Sequence, residues 1–455
     1  MNARRWRLIF LIVLVTGFFH LLFYAVWVPP WQFPDEPRHF EYVRLIYEVK
    51  RPLGWDDGDP SLEAAIIRSM ARFDFWRFGF AVGGYVQHRD QVFAEIWTSA
   101  YQNVLFHPPL YYALVGTITG FLPRSAMVSQ LFLLRLLSVL LGTLNLLLIG
   151  LIGVVLGGWR RGASLAAFAA LVPGHVFINA SVNNDVLAET LSLLTIWAGL
   201  VLMRRGVRWD IVLLLLGFLL LAVYTKRSTV FLIPYGALSV AVGWWNRRSY
   251  RITHKWVYLA GGLAFSVGVV LVFGIVAWRW GRVQQITAFL ERFSSPSAFV
   301  QAWQEAPLRL YVVTVFESFW ARLGWLNVFL PRWVYGILWG STVLSLIGWI
   351  PILRRWWRES TSAARLTGMV ILVTLLIQWG MVVGKEILYL SGPLRMLPQG
   401  RYLYPFMPFY ALFYVEGWSE WCRRLSVPSR TVIFGFLSLI SLLAAWTLIS
   451  FYYGG

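Results

Sequence analysis

Residues 8–28, LIFLIVLVTGFFHLLFYAVWV, run for 21 residues without an acidic or strongly basic side chain. A helix of that length covers the ~30 Å hydrocarbon layer of a bilayer. Arg4, Arg5 and Arg7 precede the run, as they would in a signal peptide. The run ends instead on Pro29 and Pro30, without a small-x-small cleavage site, so it reads as a retained first transmembrane helix. Similar runs follow at 131–156, 163–178, 185–203, 210–225, 228–245, 256–279, 333–353, 364–384, 403–421 and 430–451, giving about eleven expected spans. The stretch 109–122 is apolar but short, and is expected to dip into the membrane or lie at its surface.

Composition agrees with that class and excludes others. The chain is 455 residues long, 58% hydrophobic and 17% aromatic, with 13% charged residues and a formal charge of +19. Aromatic and aliphatic residues are too abundant for disorder. The cations punctuate apolar runs rather than forming polar segments, so no nucleic-acid partner is expected. The single cysteine, Cys422, excludes an intrachain disulfide. The expected fold is an all-α polytopic membrane protein forming one domain over 1–455, with no separate soluble domain.

Charge sets the expected orientation. With the N-terminus cytoplasmic and 109–122 not crossing, the inner segments carry 19 Lys/Arg against two acids, Asp210 and Glu359. Full crossing by 109–122 would turn every later arginine cluster outward. The outer side then holds two long loops, 29–108 and 280–332, and the first contains 11 of the 21 acids. Juxtamembrane helices are expected in that first loop, and function on the outer, extracytoplasmic face.

Six outer segments carry candidate chemistry. Pro34-Asp35-Glu36-Pro37-Arg38-His39-Phe40 puts two adjacent carboxylates at the exit of the first helix, held by prolines. They read equally as an interfacial helix cap. His107-Pro108-Pro109-Leu110-Tyr111-Tyr112 opens the short apolar dip, where an interfacial anchor is the plainer reading. Asn184 and Asp185 stand at the mouth of the next span, with helix capping as the ordinary role for Asp185. Thr225-Lys226-Arg227-Ser228-Thr229 places two cations on the outer face, against the general trend; hydroxyls beside cations suit a phosphate, and snorkelling is the alternative. Gln399-Gly400-Arg401-Tyr402 adds an arginine fork next to a glycine that permits close backbone approach. In the second loop, Glu317 accompanies an aromatic platform of Phe319, Trp320 and Trp325.

With the motifs PDEPRHF (34–40), HPPLYY (107–112), Asn184-Asp185, TKRST (225–229) and QGRYLYP (399–405) in this order, the chain resembles the GT-C membrane glycosyltransferases. The likeness is to the protein-mannosyltransferase and aminoarabinose-transferase branch, and to bacterial membrane proteins of that type without assigned function. It implies a GT-C-like fold, a polyprenyl-phosphate-linked sugar donor, and inverting transfer to a saccharide, lipid or protein acceptor outside the plasma (inner) membrane. On the matching residues it implies Asp35 as base or acceptor-orienting carboxylate with Glu36 as partner. Arg401, Lys226, Arg227, His107 and Tyr402 would serve the donor phosphate, supported by His39, Asn184, Asp185, Glu317 and Gln399. Some relatives use a divalent cation, so Mg or Mn on Asp35 stays open, while Asp56-Asp57-Gly58-Asp59 reads as a solvated turn before a metal site. A large C-terminal soluble domain like that of the first family is not expected here, which leaves the acceptor class open. Two other classes remain: a transporter or flippase of lipid-linked saccharides, and a non-catalytic cell-envelope assembly factor.

Overall fold

The structure is a computed structural model that describes residues 3–78, 104–105, 107–246, 297, 300, 304, 307–388 and 398–454. Among these, regular structure is helical throughout, and the one pairing of extended chain is an isolated bridge between Leu323 and Val328. Among the described residues seven helices are long and apolar enough to cross a membrane, or eight if a bent pair counts as one span. The molecule is an all-α, multi-pass membrane protein.

The first helix, α1 (Ala3–Trp27), forms where the opening run places it, and Leu8, Leu11, Ile12, Val15 and Phe19 remain exposed along one side. An apolar exposed flank is what a lipid-facing helix needs. The amphipathic helices α2 (Glu36–Val49) and α3 (Pro60–Arg72) follow, then the short α4 (Phe75–Phe78). Asp59 caps α3, accepting from the backbone N–H groups of Ser61 and Leu62, and Pro60 supplies the preset first turn.

The segment at 109–122 is a ten-residue helix, α5 (Leu110–Thr119), about 15 Å long and so half the thickness of a bilayer. It packs on α2 and on α6 (Met127–Gly157). Arg44 fixes this contact: it donates to the carbonyls of Gly120 (3.2 Å) and Leu122 (2.6 Å) and to Glu48 (2.7 Å).

The expected span at 163–178 is instead two helices, α7 (Trp159–Leu171) and α8 (Pro173–Asn179), meeting at 78°. Pro173 has no N–H to continue the ladder and forces Val172 into an extended conformation. Two other expected spans differ from the count of eleven. The helix α10 (Trp209–Thr225) has 17 residues, and α15 (Met407–Arg424) carries four charges in its second half, Glu416, Glu420, Arg423 and Arg424. The expected span at 256–279 lies outside the described residues, as do all of 79–103 in the first loop and most of 280–306 in the second.

At the centre stands α9 (Asp185–Arg205), whose apolar segment is 83% buried, against 28% for α1. It is packed by α6, α10 and α11 (Leu232–Trp245), and its N-terminal end meets the 3₁₀ turn Gly400–Phe406. The remaining helices, α12 (Leu308–Trp320), α13 (Arg332–Glu359), α14 (Ser362–Leu388) and α16 (Ser429–Tyr453), complete the bundle. Because α9 runs from Asp185 to Arg204 and Arg205, it joins two ends of opposite character, one with mixed charge and one basic.

Candidate functional site

Four chain segments meet at the mixed-charge end, and each is brought there by a local reason. Asp35 precedes α2 in the left-handed region (φ 59°, ψ 8°), a conformation costing a non-glycine residue about 1 kcal/mol and best tolerated by Asp and Asn. Its side chain makes no cap bond. The carboxylate instead accepts from Arg401 (3.0 Å) and Arg38 (3.4 Å).

Asp185 is the first residue of α9; the N-cap residue Asn184 makes no side-chain cap bond, and Asn183 Oδ1 accepts from the Asp185 backbone N–H at 2.7 Å. The capping role expected for Asp185 is not taken up, since Asp185 lies inside the helix. The freed Asp185 carboxylate lies 2.5 Å from the Lys226 ammonium and 3.8 Å from Arg401 Nε. Lys226 stands in extended chain between α10 and the turn Arg227–Phe231, and Asn184 fixes that junction by donating to the Thr225 carbonyl at 3.1 Å.

Arg401 is aimed by its neighbour. The Gly400 N–H donates to Ser318 Oγ at 2.8 Å, and a Cβ on Gly400 would strike the backbone of Phe319. Tyr404 then donates to the Phe319 carbonyl at 3.0 Å, tying the turn to the end of α12. Tyr402 presents its ring to both cations, 5.3 Å from Lys226 Nζ and 5.6 Å from the Arg401 guanidinium.

The result is an alternating chain of charge, Asp35–Arg401–Asp185–Lys226. Its most open member is Asp35, with a side chain 24% exposed, against 7% for both Lys226 and Arg401. Burial works against charge on Asp35, but Arg401 and Arg38 outweigh it and hold the carboxyl well below its usual range. Burial likewise opposes charge on Arg401, and Tyr402, Asp185 and Asp35 keep it firmly protonated. His39 hydrogen-bonds Tyr112 Oη through Nδ1 (2.9 Å), and its ring stacks 6.2 Å from that of His107. Burial lowers its pKa to about 3, so it is a neutral imidazole at pH 7.

Four buried polar atoms of this region have no hydrogen-bond partner among the described residues: Arg38 Nε, Asn184 Oδ1, Asp185 Oδ2 and Arg401 Nε. Buried polar atoms are nearly always satisfied, so a cluster of exceptions marks a place built for something besides packing.

Two residues expected in this group, Glu36 and Glu317, pair elsewhere in the structure. Glu36 is wholly buried and points away from the cluster, into Arg135. All five Arg135 donors are used: two on Glu36 (2.8 and 2.7 Å) and the rest on the carbonyls of Ala25, Val28 and Pro29. Glu36 is thereby an architectural residue that locks the end of α1, and the partnership expected with Asp35 is corrected. Glu317 pairs with Arg322 at 3.4 Å, and it is Ser318 next to it that touches the Arg401 turn. The Gln399 carbonyl accepts from Tyr402 N–H, the His107 carbonyl accepts from Tyr42, and Arg227 is half-buried at the start of its turn.

A divalent cation does not fit Asp35, whose carboxylate already lies between two guanidiniums. Among the described residues no group of three His, Cys, Asp or Glu is placed to hold a metal. Asp57 binds Arg51 and Asp59 binds Arg124, which accounts for the acidic turn at 56–59.

Two features escaped the sequence reading. Arg38 is a second cation on Asp35, and a helix beginning at Glu36 is what brings it within reach. Deeper in the bundle, His175 Nε2 lies 2.8 Å from Glu189, whose other oxygen accepts from Asn179 at 3.0 Å. Asn145 bridges Asn179 and Thr190 beside them. A lone ionisable residue inside an apolar run, such as Arg135 or Glu189, was the signal available for these.

Fold and site together define a polytopic helical membrane protein with a buried charge cluster at one end of its bundle. The chain belongs to the family described as "Predicted membrane protein (DUF2142)", which matches residues 18–410. No curated protein and no solved structure matches it.

Proposed function

We propose that the protein is a membrane glycosyltransferase of GT-C type that moves a sugar from a polyprenyl-phosphate donor to an acceptor on the extracytoplasmic face of the plasma membrane. The observation that carries this reading is the alternating chain Asp35–Arg401–Asp185–Lys226, assembled from four separate segments. Arg401 and Lys226 receive the donor phosphate, which takes over the guanidinium bond that Asp35 accepts without it and meets the ammonium donors that Asp185 does not occupy. Tyr402 and His107 border the donor.

In the reaction an acceptor oxygen attacks the anomeric carbon, the bond from that carbon to the phosphate oxygen breaks, and polyprenyl phosphate leaves. The acceptor proton passes to Asp35. While paired with Arg401 and Arg38, Asp35 is too acidic to take a proton well, and it acts first as an oriented hydrogen-bond acceptor. Transfer of Arg401 to the phosphate weakens that hold and raises the basicity of Asp35 as the donor binds. Asp185 stays with Lys226 as the counter-charge that keeps the ammonium in place.

The test is transfer from defined polyprenyl-phosphate sugars by purified protein. Wild type is expected to release polyprenyl phosphate with the sugar on an acceptor, and Asp35→Asn to lose that release. Full activity in Asp35→Asn would remove Asp35 from the reaction.

A second reading rests on a different observation. The bend between α7 and α8 beside the buried His175–Glu189 pair is a broken helix next to intramembrane ionisable groups, features common in transporters. Flipping of a lipid-linked saccharide without bond breakage, lost in Glu189→Gln, would favour it.

A further inference from the structure

The basic end of the bundle holds a cleft of about 2000 Å³, remote from the aspartate–cation cluster. It is walled by the helix ends that α1, α6, α7, α9, α11, α13, α14, α15 and α16 present there. Among the described residues lining it are seven arginines and two glutamates, with five tryptophans. Orientation in a membrane asks only that cations lie on one side, dispersed in solvated connections. Here they converge on one concavity.

The acids present do not neutralise them. Glu416 pairs with Arg161 at 2.8 Å, and Glu420 is shared by Arg355 (2.7 Å), Arg423 and Arg424. Among the described residues Arg430 makes no ion pair; it donates to the neutral Ser164 hydroxyl (3.0 Å) and lies 5.5 Å over the Trp6 ring. Arg204 donates to the carbonyls of Val155 and Leu156 at the end of α6. Among the described residues the side chains of Arg160 and Arg205 have no ion-pair partner. The walls are apolar and aromatic, with Trp349, Trp356 and Trp357 on α13. Indole rings favour the depth at which headgroups meet acyl chains.

We propose that this cleft is a binding site for an anionic phospholipid of the cytoplasmic leaflet. Its phosphate lies among Arg160, Arg205 and Arg430, and its acyl chains run along the tryptophan-lined walls. Basic pockets between transmembrane helices suit such headgroups because the phosphate finds several guanidiniums while the tails stay in the bilayer. Zwitterionic lipids fit the same walls but carry a cation into an already positive site. The inference does not depend on any reaction at the other end of the bundle.

The test is retention of dioleoylphosphatidylglycerol against dioleoylphosphatidylcholine by the purified full-length protein, read by native mass spectrometry. Wild type is expected to keep phosphatidylglycerol in preference by about tenfold or more. Arg160→Gln and Arg430→Gln should each weaken that preference about fivefold. Arg208→Gln removes an exposed arginine paired with Asp210 at the same end but outside the cleft, and should leave it unchanged. Quenching of tryptophan fluorescence by brominated phosphatidylglycerol, stronger than by brominated phosphatidylcholine, checks the site in wild type without any substitution. Equal retention of the two lipids overturns the proposal. So does an Arg208→Gln loss equal to that of the cleft variants, or displacement of the lipid by soluble glycerol phosphate at matched concentration.

Discussion

The two ends of the bundle use arginine in opposite ways. At the mixed-charge end Arg401 lies between two aspartates, and Arg135 has every donor satisfied in full burial. At the basic end arginines outnumber acids around an open cleft, and several are held only by neutral groups or by none among the described residues. The first arrangement is self-neutralising and depends on geometry. The second carries surplus charge and depends on what comes to it. Each end should therefore fail in its own way when perturbed.

The largest effect is expected where burial is complete. Arg135→Met leaves Glu36 charged and unpaired in the protein interior and should cost about 3–5 kcal/mol, read as a large fall in thermal unfolding temperature in detergent. Adding Glu36→Gln should return much of it, because the uncompensated charge is then gone. A mild Arg135→Met phenotype would mean that this pair does not lock the end of α1.

Next, Arg401→Ala should slow sugar transfer by on the order of a hundredfold, the usual loss on removing one donor to a developing anion. Arg430→Gln at the basic end should leave transfer unchanged. Equal losses in both variants would erase the functional distinction between the ends.

The third effect concerns pH, to which two buried groups at the mixed-charge end should respond. Glu41 on α2 is wholly buried; burial, then the nearby Glu63 carboxyl, raise its pKa to about 9 from an ordinary 4.5. A raised carboxyl is protonated in the folded state while the unfolded chain ionises. Its stability contribution is therefore full below pH 4.5 and falls as pH climbs to about 9, by up to ~1.4 kcal/mol per pH unit. Glu41→Gln should flatten unfolding curves across that window. His39 gives the opposite limb: with its pKa lowered to about 3 by burial, it stabilises above pH 6.5 and that share is lost on acidification toward 3. Identical pH profiles for wild type and Glu41→Gln would contradict this.

The smallest effect belongs to an exposed pair. Arg208 and Asp210 are each more than half exposed, and Arg208→Gln should leave the thermal unfolding temperature in detergent essentially unchanged.

Much of this contrast was legible in the sequence, for reasons that also explain the rest. Apolar runs and the sidedness of arginine follow from the bilayer, a one-dimensional constraint that hydropathy and charge report directly. That constraint put Asp35, Asp185, Lys226 and Arg401 on one side, and the structure joins them by direct contact. Which of two adjacent acids turns toward the cluster was not legible. Asp35 and Glu36 part company because Asp35 takes a left-handed conformation and Glu36 begins a helix facing α6. The 78° bend at Pro173 and the charged second half of α15 lowered the number of recognisable spans, since a hydropathy window averages over both. Arg135 and Glu189 were hidden by the same averaging, each a single ionisable group in a long apolar run.

The central claim is that the aspartate–cation chain at the mixed-charge end receives a lipid phosphate. Its most direct test is binding of a polyprenyl monophosphate against the matching polyprenol by purified wild type, Arg401→Gln and the Arg160→Gln/Arg430→Gln pair. The expected result is phosphate-selective binding by wild type, kept when the basic cleft is altered and lost in Arg401→Gln. Equal binding of alcohol and phosphate by wild type, or phosphate selectivity that survives Arg401→Gln but not the cleft variants, would contradict it.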